Sequence, residues 1–344
     1  MRAVVKKSKG VGFISLEEVE KPRISPDEVL IKVKAAGVCG TDIHIYHDEH
    51  PYWPPVILGH EFSGEIAQVG TRVKSWKVGE RVVSEASTRT CGVCELCRSG
   101  DYQMCPEKRA PGWGIDGAFT EYIKMPAVLL HRIPESVSFE EAALTEPTAV
   151  TVHALLERSL IEPEAFTVVQ GCGPIGLLAA QLAKSMGASR VMITGISRDI
   201  PLRLKVAKEL AIDYVVNVDE EDVVAKVKEL TGGQGADLIV EASGKEKAIN
   251  QSLEMIRRQG LINVLGITGK ERINLGWDRA VFASITVNFS FSSNYLSWER
   301  ALSMIAEGKI KVKPLITAEF PLEDWQNAFS QAEAGQAVKA LLVP

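Results

Sequence analysis

Between Phe166 and Leu265 the chain alternates short apolar runs with helical stretches, and this limits the fold more than any other feature. Phe166–Gln170 leads into glycines and the helical stretch Ile175–Met186. Arg190–Thr194 leads into Leu202–Leu210, Tyr214–Asn217 into Val223–Leu230, and Asp237–Glu241 into Ala248–Arg258, with Leu261–Leu265 after them. The strand runs are continuously apolar, as strands buried on both faces must be. Strand–helix repetition of that kind predicts a doubly wound parallel sheet. The turn after the first run reads Gly171-Cys172-Gly173-Pro174-Ile175-Gly176. It fits G-x-G-x-x-G, a weak pattern alone. Placed between a strand and a helix, its glycines permit a tight turn and let backbone N–H groups approach a pyrophosphate. The region is therefore expected to bind a dinucleotide; a plain glycine-rich turn is the alternative.

The first ~150 residues have a different texture, β-rich and densely punctuated. Val29–Lys34, Phe62–Val69 and Glu80–Ser84 read as strands among Pro22, Pro26, Gly37, Gly40, Pro54, Pro55, Gly59 and Gly64. The tail has a helix around Trp298–Ala306, an amphipathic stretch near Trp325–Ala332 and a strand Val338–Val343. It is too short for its own core, so it is expected to return to the first domain. The α/β reading has a β-rich domain at 1–151, with a cysteine lobe at about 85–110, a cofactor domain at 152–292 and a returning segment at 293–344.

That lobe carries four of the six cysteines, Cys91, Cys94, Cys97 and Cys105, spaced C-x2-C-x2-C-x7-C among Gly92, Ser99, Gly100 and Pro106. Pairs this close can bite one tetrahedral ion, which predicts a structural zinc site. An iron–sulfur cluster is the rival. Cys105-Pro106 echoes the end of a ferredoxin run, although the seven-residue gap does not fit it. A disulfide pair would suit a secreted protein, but Arg2-Ala3-Val4-Val5-Lys6-Lys7 opens no apolar leader, so a reducing cytoplasm is expected. No uncharged apolar run reaches ~18 residues, so no membrane span is expected. The 39 basic against 44 acidic residues give −5, which argues against a nucleic-acid surface.

The second strand of the cofactor domain normally ends in an acid that bonds the adenine-ribose 2′-hydroxyl. Here it ends in Gly195, followed by Ser197, Arg198 and Arg203. A small residue leaves room for a 2′-phosphate, which Ser197 and Arg198 can bind, so NADP or dual use is favoured over NAD. Alternatively Arg198 is a solvated loop residue and Arg203 stacks on adenine, with Asp199 complicating either reading.

Metal-type residues recur in the first domain, in Cys39-Gly40-Thr41-Asp42-Ile43-His44 and Gly59-His60-Glu61. A thiolate and an imidazole suit zinc. With Glu146-Pro147, the cysteine lobe, the glycine turn and Leu265-Gly266-Ile267, the chain resembles the zinc-dependent medium-chain dehydrogenases, in their sorbitol (polyol)/L-threonine dehydrogenase branch. The resemblance runs over essentially all 344 residues. Cys39 to Tyr46 looks like the threonine enzymes; Glu146 to Ala154 and Phe289-Ser290-Phe291 to Glu299 look more like the polyol enzymes.

The resemblance implies a GroES-like catalytic domain beside a Rossmann domain. It implies a catalytic zinc on Cys39 and His60, with Glu61 and Glu146 as carboxylate ligands that exchange with water. Zinc there would polarise an alcohol oxygen for hydride transfer to a nicotinamide. A proton would leave through Thr41 and His44. Cofactor contacts would come from Gly171, Gly173, Pro174, Ile175, Gly176, Leu265, Gly266, Ile267, Phe289 and Ser290. A dimer or tetramer would form along the strand near Ile285–Phe291. The implied function is a zinc- and NAD(P)-dependent dehydrogenase of a small secondary alcohol, with two zinc ions per chain. A non-catalytic zinc-stabilised nucleotide sensor and a quinone or enoyl reductase are the alternatives, and the intact zinc and relay residues weigh against both. His47 and His50 are expected at the surface, and Cys172 in packing. Tyr52 and Trp53 would line a pocket or pack the loop. Ile45 stands where some polyol enzymes carry tyrosine, so the sequence does not single out sorbitol.

Overall fold

The structure is a computed structural model that describes residues 1–159 and 161–344. The chain divides into two compact units. One comprises 1–149, 292–307 and 316–344; the other comprises 150–291 and 308–315.

The second unit carries, among the described residues, a six-stranded parallel sheet. Phe166–Gln170 lies centrally, flanked by Arg190–Gly195 and Ala236–Glu241. Tyr214–Asn217 closes one side; Ile256–Val264 and Thr286–Phe289 extend the other. The first strand thus neighbours the second and the fourth, a reversal of winding direction at which such sheets bind ligands. All five residues of Phe166–Gln170 are buried, Thr167 and Gln170 with the apolar Phe166, Val168 and Val169. Phe166, Val168, Met192, Val216, Ile239 and Ile262 form the core with Val223, Val227 and Leu253.

One element differs from the sequence reading. The helix expected over Ala248–Arg258 spans Glu246–Met255, and the strand begins at once with Ile256. Arg257 Nε is held by Asp237 Oδ1 at 2.6 Å, and Ala236 pairs with Ile256, so the sheet takes these residues from the helix. Gly308–Leu315 also belongs to this unit, where the backbone of Lys311 exchanges two hydrogen bonds with the Gln181 amide.

The first unit is built on the long strand Glu28–Gly37. Glu61–Val69, Tyr122–Pro126 and the C-terminal Lys339–Val343 all pair with it in antiparallel fashion. Gly64 permits the tight crossing, since a Cβ there would stand 2.4 Å from Lys32 O. The tail contributes Trp325, Ala328, Phe329 and Leu342 to the same core as Val29, Ile31, Phe62 and Phe119.

Candidate active site

In the first unit the tight turn after Glu28–Gly37 presents Cys39, which starts the helix Gly40–Tyr46. Asp42, fully buried, braces the turn from within. One of its carboxylate oxygens accepts Cys39 N at 2.9 Å; the other accepts Gly59 N at 3.3 Å and lies 3.8 Å from His60 Nδ1. At 3.8 Å the Asp42 contact is electrostatic, not a hydrogen bond, and His60 Nδ1 is buried with no hydrogen-bond partner among the described residues. Gly59 has φ +91°, and any Cβ there would run into the Phe119 ring at 2.4 Å.

Glu61 opens the next strand and is buried. Lys339 donates to both of its oxygens, at 2.8 and 2.6 Å, and to Val38 O at 3.2 Å. A Cβ on Gly37 would stand 2.3 Å from Glu61 Oε2, so glycine there makes room for this carboxylate. Cys39 Sγ, a His60 ring nitrogen and a Glu61 oxygen lie within 4.8 Å of one another. Glu146 lies outside that tight set. It is half-buried in the first turn of Thr145–Val152, and loss of solvent around the carboxyl, with Glu61 adding to it, pushes it up to about 7 while His60, Lys339 and Lys108 pull the other way. Burial lowers the His60 imidazolium, but Cys39, Asp42 and Glu146 together outweigh it and hold the ring well above its ordinary value. This buried thiolate–imidazole–carboxylate set fits a single zinc ion, with Glu146 near enough to be felt electrostatically.

Thr41 and His44 lie on the same short helix three residues apart, which places them on one face. His44 is part exposed and its Nδ1 meets Glu49 Oε2 at 2.8 Å. His47 meets Glu333 and His50 meets Pro51 O, and neither belongs to a metal-type cluster among the described residues. Tyr52 is core, its hydroxyl donating to Asp48, while Trp53 is part exposed beneath the Arg109 guanidinium at 3.8 Å.

The four lobe sulfurs also lie within 4.8 Å of one another. Cys91 Sγ is 3.9 Å from Cys97 Sγ and 3.7 Å from Cys105 Sγ, so none of these is a disulfide. A tetrahedron with ~2.3 Å metal–sulfur bonds has edges of ~3.8 Å, so the set fits one ion and leaves no room for an iron–sulfur cluster. Backbone N–H groups of Cys91, Cys94 and Cys97 point at sulfur, as thiolate ligands require. Val93 and Cys94 N–H groups bring Cys91 down to about 7, while burial pushes Cys97 up to about 12.

In the second unit the glycine turn fits a dinucleotide. Gly171 has φ +98°, and a Cβ on Gly176 would stand 1.8 Å from Gly171 O. Gly173 caps the helix Pro174–Ser185 with open space where its Cβ would be. Ile175 sits in the first turn of that helix. Leu265 N and Gly266 N donate to Glu241 O, and Ile267 is exposed after them. Phe289 is exposed, and Ser290 Oγ is buried with no hydrogen-bond partner among the described residues.

Gly195 is buried, and a Cβ there would meet Cys172 Sγ at 2.6 Å, so no acidic side chain fits. The acid absent from that position in sequence is present nearby in space. Asp199 folds back to accept Ile196 N at 3.0 Å and lies 3.5 Å from Arg203 Nη1. Asp219 accepts Ser197 N at 2.8 Å. Arg198 is exposed. Cys172 is buried in packing.

Asp42, Lys339, Lys108 and Asp219 were not assigned roles from sequence. Asp42 stood inside a quoted motif. Lys339 lies 278 positions from Glu61, and only the pairing of the last strand with Glu28–Gly37 brings the two together.

These features define a zinc-type dehydrogenase. The alcohol dehydrogenase GroES-like domain family matches residues 25–135 and the zinc-binding dehydrogenase family matches 174–307. The chain belongs to the zinc-dependent medium-chain alcohol dehydrogenases. It is 41% identical to sorbitol dehydrogenase of Halalkalibacterium halodurans across all of this chain and 99% of that one. It is 36% identical to D-arabitol-phosphate dehydrogenase of Enterococcus avium, over 99% of this chain and 97% of that one. A zinc-binding dehydrogenase from Sinorhizobium meliloti, solved bound to NADP, superposes with a TM-score of 0.92 at 31% identity, covering all of this chain and 99% of the other.

Proposed function

We propose that this enzyme oxidises the secondary carbinol of a polyol, diol or hydroxy-amino acid, with NADP favoured and NAD tolerated. The buried Cys39–His60–Glu61 set beside Glu146 carries this reading, because an ion held there would face donors of mixed softness. Cys39 and His60 would hold the catalytic zinc, with Glu61 or Glu146 as exchangeable carboxylate. Cys91, Cys94, Cys97 and Cys105 would hold a second, structural zinc. When bound, zinc supplies Lewis acidity toward the carbinol oxygen and the nicotinamide accepts the hydride.

The chain's own residues do the rest. Asp42 braces the turns that carry Cys39 and His60, and Lys339 fixes the Glu61 carboxylate. Thr41 takes the hydroxyl proton and passes it to His44 and solvent, while the hydrogen on the carbinol carbon leaves as hydride with the C–H electron pair, to be accepted by the nicotinamide, so a carbonyl remains. Gly171, Gly173 and Gly176 shape the pyrophosphate turn, and Ser197 with Arg198 receives the 2′-phosphate. Six free thiols suit a reducing compartment such as the cytoplasm. The edge strand Thr286–Phe289 exposes Phe289, and the preceding helix exposes Trp277, Val281 and Phe282, which supports a homodimer or homotetramer built along that edge. Turnover assays with both cofactors across polyols, diols, hydroxy acids and L-threonine test the reading. Reduction of NADP by a secondary alcohol, lost after chelation and restored by zinc, is the expected result. Metal-independent reduction of a quinone or enoyl substrate would overturn it.

A further inference from the structure

The first unit holds a cavity of about 750 Å³ that none of Cys39, His60, Glu61 or Glu146 lines. That volume suits a small molecule. Val5, Val56, Ile57 and Ile123 give it apolar walls, and Trp53, 44% exposed, lines it as well. Backbone hydrogen bonds lace one wall together: Gly117 N donates to Ile57 O at 2.8 Å, and Ala118 N to Gly59 O at 2.9 Å. Gly114, in the same wall, makes room for the Arg109 stem, since a Cβ there would stand 2.6 Å from Arg109 Cδ.

Two arginines meet at this wall. Arg89 and Arg109 face each other across an isolated antiparallel bridge and exchange backbone hydrogen bonds of 3.1 and 2.8 Å. Residues directly opposite in such a pair carry their side chains on one face, where like charges repel. The Arg109 guanidinium lies 3.8 Å over the Trp53 ring and donates to Lys108 O at 2.9 Å. Arg89 is exposed and lines the cavity. Neither guanidinium has an ion-pair partner among the described residues, although Glu20, Glu28 and Asp116 line the same cavity. Glu28 instead accepts Ser25 N at 2.8 Å and lies 3.9 Å from Lys124, and Asp116 accepts Ile57 N at 3.0 Å. Thr88 also lines the cavity, and its Oγ1 is buried with no hydrogen-bond partner among the described residues. Opposed guanidiniums without a counter-charge, beside an orphaned hydroxyl, ask for an anion. One guanidinium fork satisfies a carboxylate. Two match the several oxygens and the charge of roughly −1.5 to −2 of a phosphate monoester. The apolar walls and Trp53 then suit the remainder of such a molecule.

We propose that this cavity is a ligand site, separate from the candidate catalytic set, for a phosphate monoester with an aromatic or apolar body. Arg89 and Arg109 receive the phosphate, the Thr88 hydroxyl donates to it, and Trp53 lies against the body.

The zinc-loaded enzyme, with the dinucleotide site filled by saturating NAD, is titrated calorimetrically with phenyl phosphate, inorganic phosphate and benzoate. Wild type, Arg89→Met, Arg89→Lys and Arg198→Ala are compared, and circular dichroism checks folding. Phenyl phosphate should bind the wild type with a Kd of ~1 mM or tighter. Inorganic phosphate and benzoate should each bind at least about tenfold more weakly. Arg89→Met should weaken phenyl phosphate about tenfold or more, the span of one charge-assisted hydrogen bond. Arg89→Lys should restore part of that loss, and Arg198→Ala should bind as the wild type does. Binding that ignores Arg89→Met, or that is lost in Arg198→Ala instead, would overturn the proposal by placing the ligand elsewhere. Benzoate or inorganic phosphate bound as tightly as phenyl phosphate would overturn the assigned ligand class. No binding of phenyl phosphate by the wild type up to ~10 mM would overturn the site itself.

Discussion

The two metal-type sites of the first unit are built in opposite ways. The cysteine lobe draws four identical donors from residues 91–105, and local turns alone bring them together. Gly92 and Gly100 adopt positive φ, and backbone N–H groups within the lobe satisfy the sulfurs. The other set draws one thiolate, one imidazole and carboxylates from Cys39, His60, Glu61 and Glu146, and needs Asp42 and Lys339 to hold them. Four like thiolates close a coordination sphere, which suits a structural role. Mixed donors, one of them tied to a lysine, leave coordination free to change, which suits chemistry at the metal.

That contrast can be broken experimentally. Cys39→Ser should cut turnover by about a hundred- to a thousandfold or more while the melting temperature and lobe zinc hold, since it removes stabilisation of developing oxygen charge. A variant that melts early would show that this site is structural too. Lys339→Met should cost about 3–5 kcal/mol in chemical denaturation, because Glu61 is left as an unpaired buried charge. A change under ~1 kcal/mol would mean that Glu61 is held by something other than Lys339. Cys97→Ser should lower the melting temperature by roughly 10 °C, from a loss of about 3 kcal/mol, yet leave the surviving folded fraction active. Full stability together with lost activity would invert the assignment of the two sites.

Smaller effects sharpen the picture. His44→Ala should slow turnover about ten- to a hundredfold below roughly pH 7–8, where hydroxide cannot replace the relay, with both zinc contents unchanged. A pH-independent loss would point to a role other than proton transfer. Arg198→Ala, in the other unit, should weaken NADP about tenfold and spare NAD, again without loss of metal. If the wild type already prefers NAD, then Asp219 and Asp199 dominate that turn and Arg198 is a solvated residue.

What the sequence disclosed follows the same contrast. The lobe was legible because its donors are neighbours in the chain. The parallel sheet was legible because most of its strands are short, mainly apolar runs followed by helical stretches, down to the bounds of Phe166–Gln170 and Tyr214–Asn217. Cys39, His60 and Glu61 were suggested by short motifs. What holds them was not, because Lys339 reaches Glu61 only through the tertiary pairing of the last strand. Gly195 shows the same limit. The sequence shows no acid at that position, but folding packs Cys172 against it and brings the Asp199 carboxylate alongside. The helix over Ala248–Arg258 ran too long in sequence because Asp237, a distant partner, draws Arg257 into the sheet.

The central claim is that one chain carries two zinc ions with separate tasks. Metal analysis of the zinc-reconstituted wild type beside Cys39→Ser and Cys97→Ser tests it most directly. The expected result is two zinc ions per wild-type chain and one in each variant, with the Cys39→Ser protein folded and inactive. A single zinc in the wild type, iron in the lobe, or loss of both ions from Cys39→Ser would contradict it.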